Sequence, residues 1–152
     1  MLNCMKRREV ETGVIPKLTT FDFESQTQRV KFVTTLEIKP GVSCDAYEFE
    51  GDNSKDLAIV TVAPNAATPL QRVLLGERTI EGYFSGKGSL TIAKPSGEKE
   101  VHEVGDSPEP FSVTIAVGEL MQWQAAADSA LVFSEVCYPP YQEGRFENLP
   151  DE

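Results

Sequence analysis

Few side chains in this sequence are equipped for covalent or acid–base chemistry. The single histidine, His102, and the three cysteines, Cys4, Cys44 and Cys137, are the raw material for a thiolate–imidazole pair. His102 lies in the acidic, exposed-looking run SGEKEVHEVGD, so a Cys–His dyad is not expected. Three widely spaced cysteines without a CxxC pair make neither a disulfide framework nor a zinc motif, and they read as buried or idle thiols. On TIEGYFSG, Glu81 and Tyr83 share one face, while Ile80, Gly82 and Phe84 share the other. The pattern leaves open which face points inward. An outward Glu81 is an ordinary exposed strand residue, the expected case; a buried one has a raised pKa and becomes a general-base candidate. Gln71, Val73 and Leu75 share a face of LQRVLL, and Met121 shares one with Trp123. A buried Gln71 amide must bond to protein, water or a ligand. Arg72, Glu77 and Arg78 read as a solvated turn, with an anchor for a carboxylate or phosphate as the functional alternative. Gly86-Lys87-Gly88 has the wrong spacing for a phosphate loop and reads as a hairpin turn.

The elements that must position these residues are short and extended. RVKFVTTLEI is rich in β-branched and aromatic residues, CDAYEFEG alternates, and DLAIVTVAP is nearly continuous apolar, as in a strand buried on both faces. LQRVLL, TIEGYFSG, SLTIA, KEVHEV, FSVTIAV, LMQWQA and ALVFSEVCY follow, separated by turn residues. Strands this frequent predict an all-β sandwich or barrel. TTFDFESQTQRV has room for one helical turn. The first dozen residues and the tail YQEGRFENLPDE are polar and are expected to be arms, mobile or packed on a neighbour.

The 152 residues suffice for one domain with a core that needs no disulfide or structural metal. A net charge of −10 repels phosphates, so neither nucleic acid nor an anionic membrane is an expected partner. MLNCMKRREVETG lacks the apolar stretch of a secretory signal, and no segment approaches the roughly 20 apolar residues of a membrane span. The expected location is the cytoplasm.

Five phrases in order resemble a small single-domain cupin, an RmlC-like jelly roll. VAPNAATPLQRV is similar to the family's entry into its His-x-His strand. EGYFSGKGSLTI is similar to its Tyr-rich strand and Gly-x-Gly turn, and Gly105-Asp106 to the Gly-Asp opening its second motif. TIAVGELMQW resembles the strand that usually reads Pro-x-Gly-x-x-His, and LVFSEVCYPPYQEGRFENL the closing strand and tail. The resemblance implies an all-β, cupin-type double-stranded β-helix (jelly-roll barrel) with extended N- and C-terminal arms. It divides the chain into an arm over 1–20, a barrel over 21–149 and a tail over 150–152, and is strongest over 57–149. It also implies a homodimer, with CYPPYQEGRF as the arm that exchanges.

Laid onto this sequence, the family's two paired histidines fall on Gln71 and Val73, its carboxylate near Glu77 or Thr79, and its third histidine on Met121. One amide, one thioether and one carboxylate are not a coherent set for the metals such barrels hold. No metal or other cofactor is therefore expected. A cavity kept without its metal implies a small-molecule site at Gln71, Glu81, Tyr83, Met121 and Trp123. The leading expectation is a metal-free barrel binding a small organic molecule. The alternatives are a non-standard metal-dependent or metal-free sugar-type isomerase or epimerase, and a purely structural dimer whose barrel is filled.

Overall fold

Apolar and β-branched runs punctuated by glycine become strands throughout. The computed structural model describes residues 8–9, 17–106 and 110–150. The strands are β1 (Arg8–Glu9), β2 (Thr20–Phe23), β3 (Gln26–Lys39), β4 (Val42–Phe49), β5 (Asp52–Val62), β6 (Leu70–Val73), β7 (Arg78–Gly86), β8 (Gly88–Ala93), β9 (Lys99–Val104), β10 (Ser112–Ile115), β11 (Leu120–Ala125), β12 (Leu131–Tyr138) and β13 (Phe146–Leu149). No helix among the described residues is long and apolar enough to cross a membrane.

The strands make two antiparallel sheets. The larger runs β1-β3-β4-β5-β12-β7-β10, with β2 also paired to β3. The smaller runs β13-β6-β11-β8-β9. From β5 onward the chain passes repeatedly from one sheet to the other, the winding of a jelly roll. Between the sheets lies a core that includes Val42, Val60, Leu90, Ile92, Met121, Trp123, Leu131 and Phe133. Strand β5 is buried on both faces, as its sequence predicts. Ala58, Val60 and Val62 point inward, while Leu57 and Ile59 belong to a second core on the outer face of the large sheet.

The β2–β3 hairpin closes that outer core. Phe21, Phe23 and Phe49 pack ring on ring, and the Tyr47 hydroxyl accepts a hydrogen bond from the Leu18 amide at 3.0 Å. The segment that had room for a helical turn is therefore a hairpin. Phe23 pairs with Gln26 across a two-residue turn in which Glu24 and Ser25 both have positive φ, 50° and 64°. That is the backbone a tight hairpin requires. Burial of Phe21 and Phe23 stabilises it although neither turn residue is glycine or asparagine.

Three further expectations change. Gly86-Lys87-Gly88 is not a hairpin turn but the corner where the chain leaves the large sheet at β7 and enters the small one at β8. A Cβ on Gly86 or Gly88 would overlap the backbone of Ala130 or Gln124, so the corner needs glycine. The C-terminal segment is not an extended arm. It folds back, and β13 pairs with β6 of the same barrel, burying Arg145 and Phe146. Leu75 does not follow Gln71 and Val73 inward, because β6 ends at Val73 and Leu75 is 38% exposed. Most of the N-terminal arm lies outside the described residues.

Candidate functional site

The alternation of β7 and β12 turns two carboxyl groups into the barrel. Thr79 and Glu81 point inward from β7, and Phe133, Glu135 and Cys137 from β12. Glu81 and Glu135 are register partners, both 0% exposed. Directly opposed residues on antiparallel strands have Cβ atoms about 5 Å apart, so the two carboxyls share one environment. Trp123 reaches across from the small sheet. Its ring stacks on Phe133 at 4.6 Å, and its indole N–H donates to Glu81 Oε1 at 2.7 Å. Burial raises the Glu81 pKa well above the ordinary carboxylate range, and the facing Glu135 raises it further. Glu81 is therefore not the exposed strand residue expected. Burial also pushes the Cys137 thiol up to about 12, which makes it a poor nucleophile.

The other expected site residues lie in the same interior. Gln71 and Met121 are register partners between β6 and β11. Gln71 donates to Asn148 Oδ1 at 2.9 Å, so its amide has a protein partner. Tyr83 is half-buried and donates its hydroxyl to the Gly86 carbonyl at 2.8 Å. Gln71, Glu81, Met121 and Trp123 are at most 2% exposed and bond or pack with protein groups. Since Asn148 is exposed and can bond water instead, loss of that one bond in Gln71→Leu should cost no more than about 1 kcal/mol in urea unfolding.

The positions at which the resemblance would place metal ligands offer a poor donor set. Val73 has no donor atom. Glu77 is an exposed turn residue, and the buried Thr79 hydroxyl accepts from Arg145 at 3.0 Å. His102 is half-buried on β9 against the Phe111 ring, at 5.0 Å, rather than fully exposed. Its buried Nε2 has no hydrogen-bond partner among the described residues. Those residues include no cluster of three His, Cys, Asp or Glu side chains placed to hold a metal. Protein purified without chelator or histidine tag should therefore carry well under one equivalent of transition metal by elemental analysis.

A cleft of about 800 Å³ opens on the outer face of the large sheet. Its floor follows from register. Ser134, Gly82 and Ser112 lie side by side across β12, β7 and β10, and Val136, Ile80 and Thr114 form the next row. The first row is a trough of small side chains; a Cβ on Gly82 would stand 2.8 Å from Ser134 Oγ. Leu18, Thr20, Phe21 and Phe23 of the hairpin segment form one wall, and Phe84, Pro110 and Phe111 another. At the rim Arg78 donates to Glu24 Oε2 at 2.8 Å and lies over the Tyr138 ring at 4.8 Å. Of the expected site residues, Tyr83 also borders this cleft. Sequence reasoning missed it, since it exists only once β2 folds over the sheet. The one available signal was the alternation of Phe21 and Phe23.

No family model matches the chain, and no curated protein matches it. Solved structures do. The capsular polysaccharide assembling protein CapF from Staphylococcus aureus is 12% identical with a TM-score of 0.64, over 80% of this chain and 34% of that one. CapF with the inhibitor 3-isopropenyl-tropolone gives 12% and 0.63 over the same shares. Oxalate decarboxylase from Bacillus subtilis at pH 4.6 gives 20% and 0.56, over 70% of this chain and 28% of that one. This chain thus spans about a third or less of those proteins. At such identity the likeness is one of fold, and the fold is the cupin-type jelly-roll barrel.

Proposed function

We propose that this chain is a small-molecule-binding module whose ligand sits in the cleft between the β2–β3 hairpin and the outer face of β7, β10 and β12. The observation that carries the reading is the contrast between two spaces. The barrel interior, where the expected residues lie, is occupied by Trp123 stacked on Phe133 and bonded to Glu81. The outer cleft is open, of ligand size, and walled by both aromatic rings and hydroxyls. The activities in the neighbours' names belong to much longer proteins and are not carried over.

A second reading, a purely structural barrel, is favoured by the same filled interior. The two separate in a fragment screen on isotopically labelled protein. A binding module gives saturable amide shifts at Gly82, Phe84, Ser112 and Thr114. A structural barrel gives none there at millimolar fragment. Shifts centred instead on Gln71, Met121 and Trp123 would return the site to the interior.

A further inference from the structure

Resting on the cleft as the binding site, we infer that its ligand is an uncharged, hydroxyl-bearing ring compound of the glycoside class. Among the described residues, the charged groups lining the cleft, Asp22, Glu24 and Arg78, each already make a hydrogen bond. Arg78 is held by Glu24 at 2.8 Å, and Asp22 Oδ1 accepts from the Thr27 hydroxyl at 2.7 Å. An anion at Arg78 would have to share the guanidinium with Glu24 and sit near Asp22, on a chain of net charge −10. A cation at Glu24 would meet the Arg78 guanidinium already 2.8 Å from that carboxylate.

Among the described residues, the cleft also presents hydroxyls and ring faces. Thr20, Ser112 and Thr114 border the cleft and are exposed, so their hydroxyls are accessible to a ligand. Each offers one donor and two acceptor positions. Phe84, 40% exposed, and Phe21 supply the apolar surface. A wholly apolar ligand would cover those hydroxyls and leave them without partners, at a cost. A sugar ring has an apolar C–H face for Phe21 or Phe84 and a rim of hydroxyls for Thr20, Ser112 and Thr114. That match of groups selects the class.

The test is an amide-shift titration of the full chain with three probes: methyl β-glucopyranoside, benzoate and benzylamine. The glycoside should give saturable shifts at Gly82, Phe84, Ser112 and Thr114. The double variant Ser112→Ala, Thr114→Val should weaken it at least tenfold with an unchanged spectrum elsewhere. Shifts at these amides with benzoate or benzylamine but not the glycoside would overturn the class and leave the cleft as the site. No shift there with any probe would overturn both. Glycoside binding that the double variant leaves intact would overturn the assignment to these hydroxyls.

Discussion

Replacing Arg145 by alanine should cost about 3–5 kcal/mol of stability, read as a large fall in the urea midpoint. Arg145 is 0% exposed, and its guanidinium joins two separate stretches of chain, residues 78–79 and 138–139. Nη1 donates to the Pro139 carbonyl at 3.0 Å; Nη2 reaches the Arg78 carbonyl at 2.6 Å, the Tyr138 carbonyl at 3.1 Å and the Thr79 hydroxyl at 3.0 Å. Removing it leaves several buried acceptors without a donor, each worth about 1–3 kcal/mol. Lysine should not rescue the loss, because one ammonium cannot span the positions that the planar fork reaches. The neighbouring Gly76 is part of the same device. A Cβ there would overlap the guanidinium, and its φ of +116° strains any other residue. Gly76→Ala should therefore destabilise in the same direction. A loss below 1 kcal/mol for Arg145→Ala would show that the C-terminal return is not held by this side chain.

The second large effect concerns pH. Glu81 has a folded-state pKa raised above its ordinary 4.5, by burial first and by the charge of Glu135 second. The folded chain thus keeps a proton that the unfolded chain releases. The stability this proton contributes is fully present below about pH 4.5 and is lost as pH rises toward the folded value. Across that window Glu81 alone should lower stability by about 1.4 kcal/mol per pH unit. Glu81→Gln keeps an oxygen for the Trp123 indole and cannot ionise, so it should lack this slope. Urea unfolding of parent and variant at pH 5, 7 and 9 isolates the contribution. The variant should gain on the parent as pH rises from 5. Parallel curves would mean that Glu81 titrates normally and that the opposed carboxyls do not share a dry interior.

Much of the fold is legible in the sequence because strand signals are local. The doubly apolar run of β5 and the alternation of β12 need no partner to be read. What is not legible depends on partners distant in sequence. Glu81 looks like a surface residue until Trp123 and Glu135 arrive from other strands. Glu135 itself was in reach, because alternation places it with Leu131, Phe133 and Cys137, yet a carboxylate argues against the inner face. The Glu24–Ser25 turn carries no glycine, so its two positive φ angles leave no trace in residue type. Arg145 reads as one charge in a polar tail, and only the return of β13 to β6 buries it. The cleft is the extreme case: its floor comes from β7, β10 and β12, and one wall from a hairpin near the other end of the chain.

The most direct test of where this protein binds is a crystal structure of the chain soaked with glycoside-bearing fragments. Ligand density between Phe21, Phe84 and Thr114, with Trp123 still stacked on Phe133 and bonded to Glu81, is the expected result. Ligand density inside the barrel, with Trp123 displaced from Glu81, would contradict the outer site and restore the interior residues Gln71, Met121 and Trp123 as the binding surface.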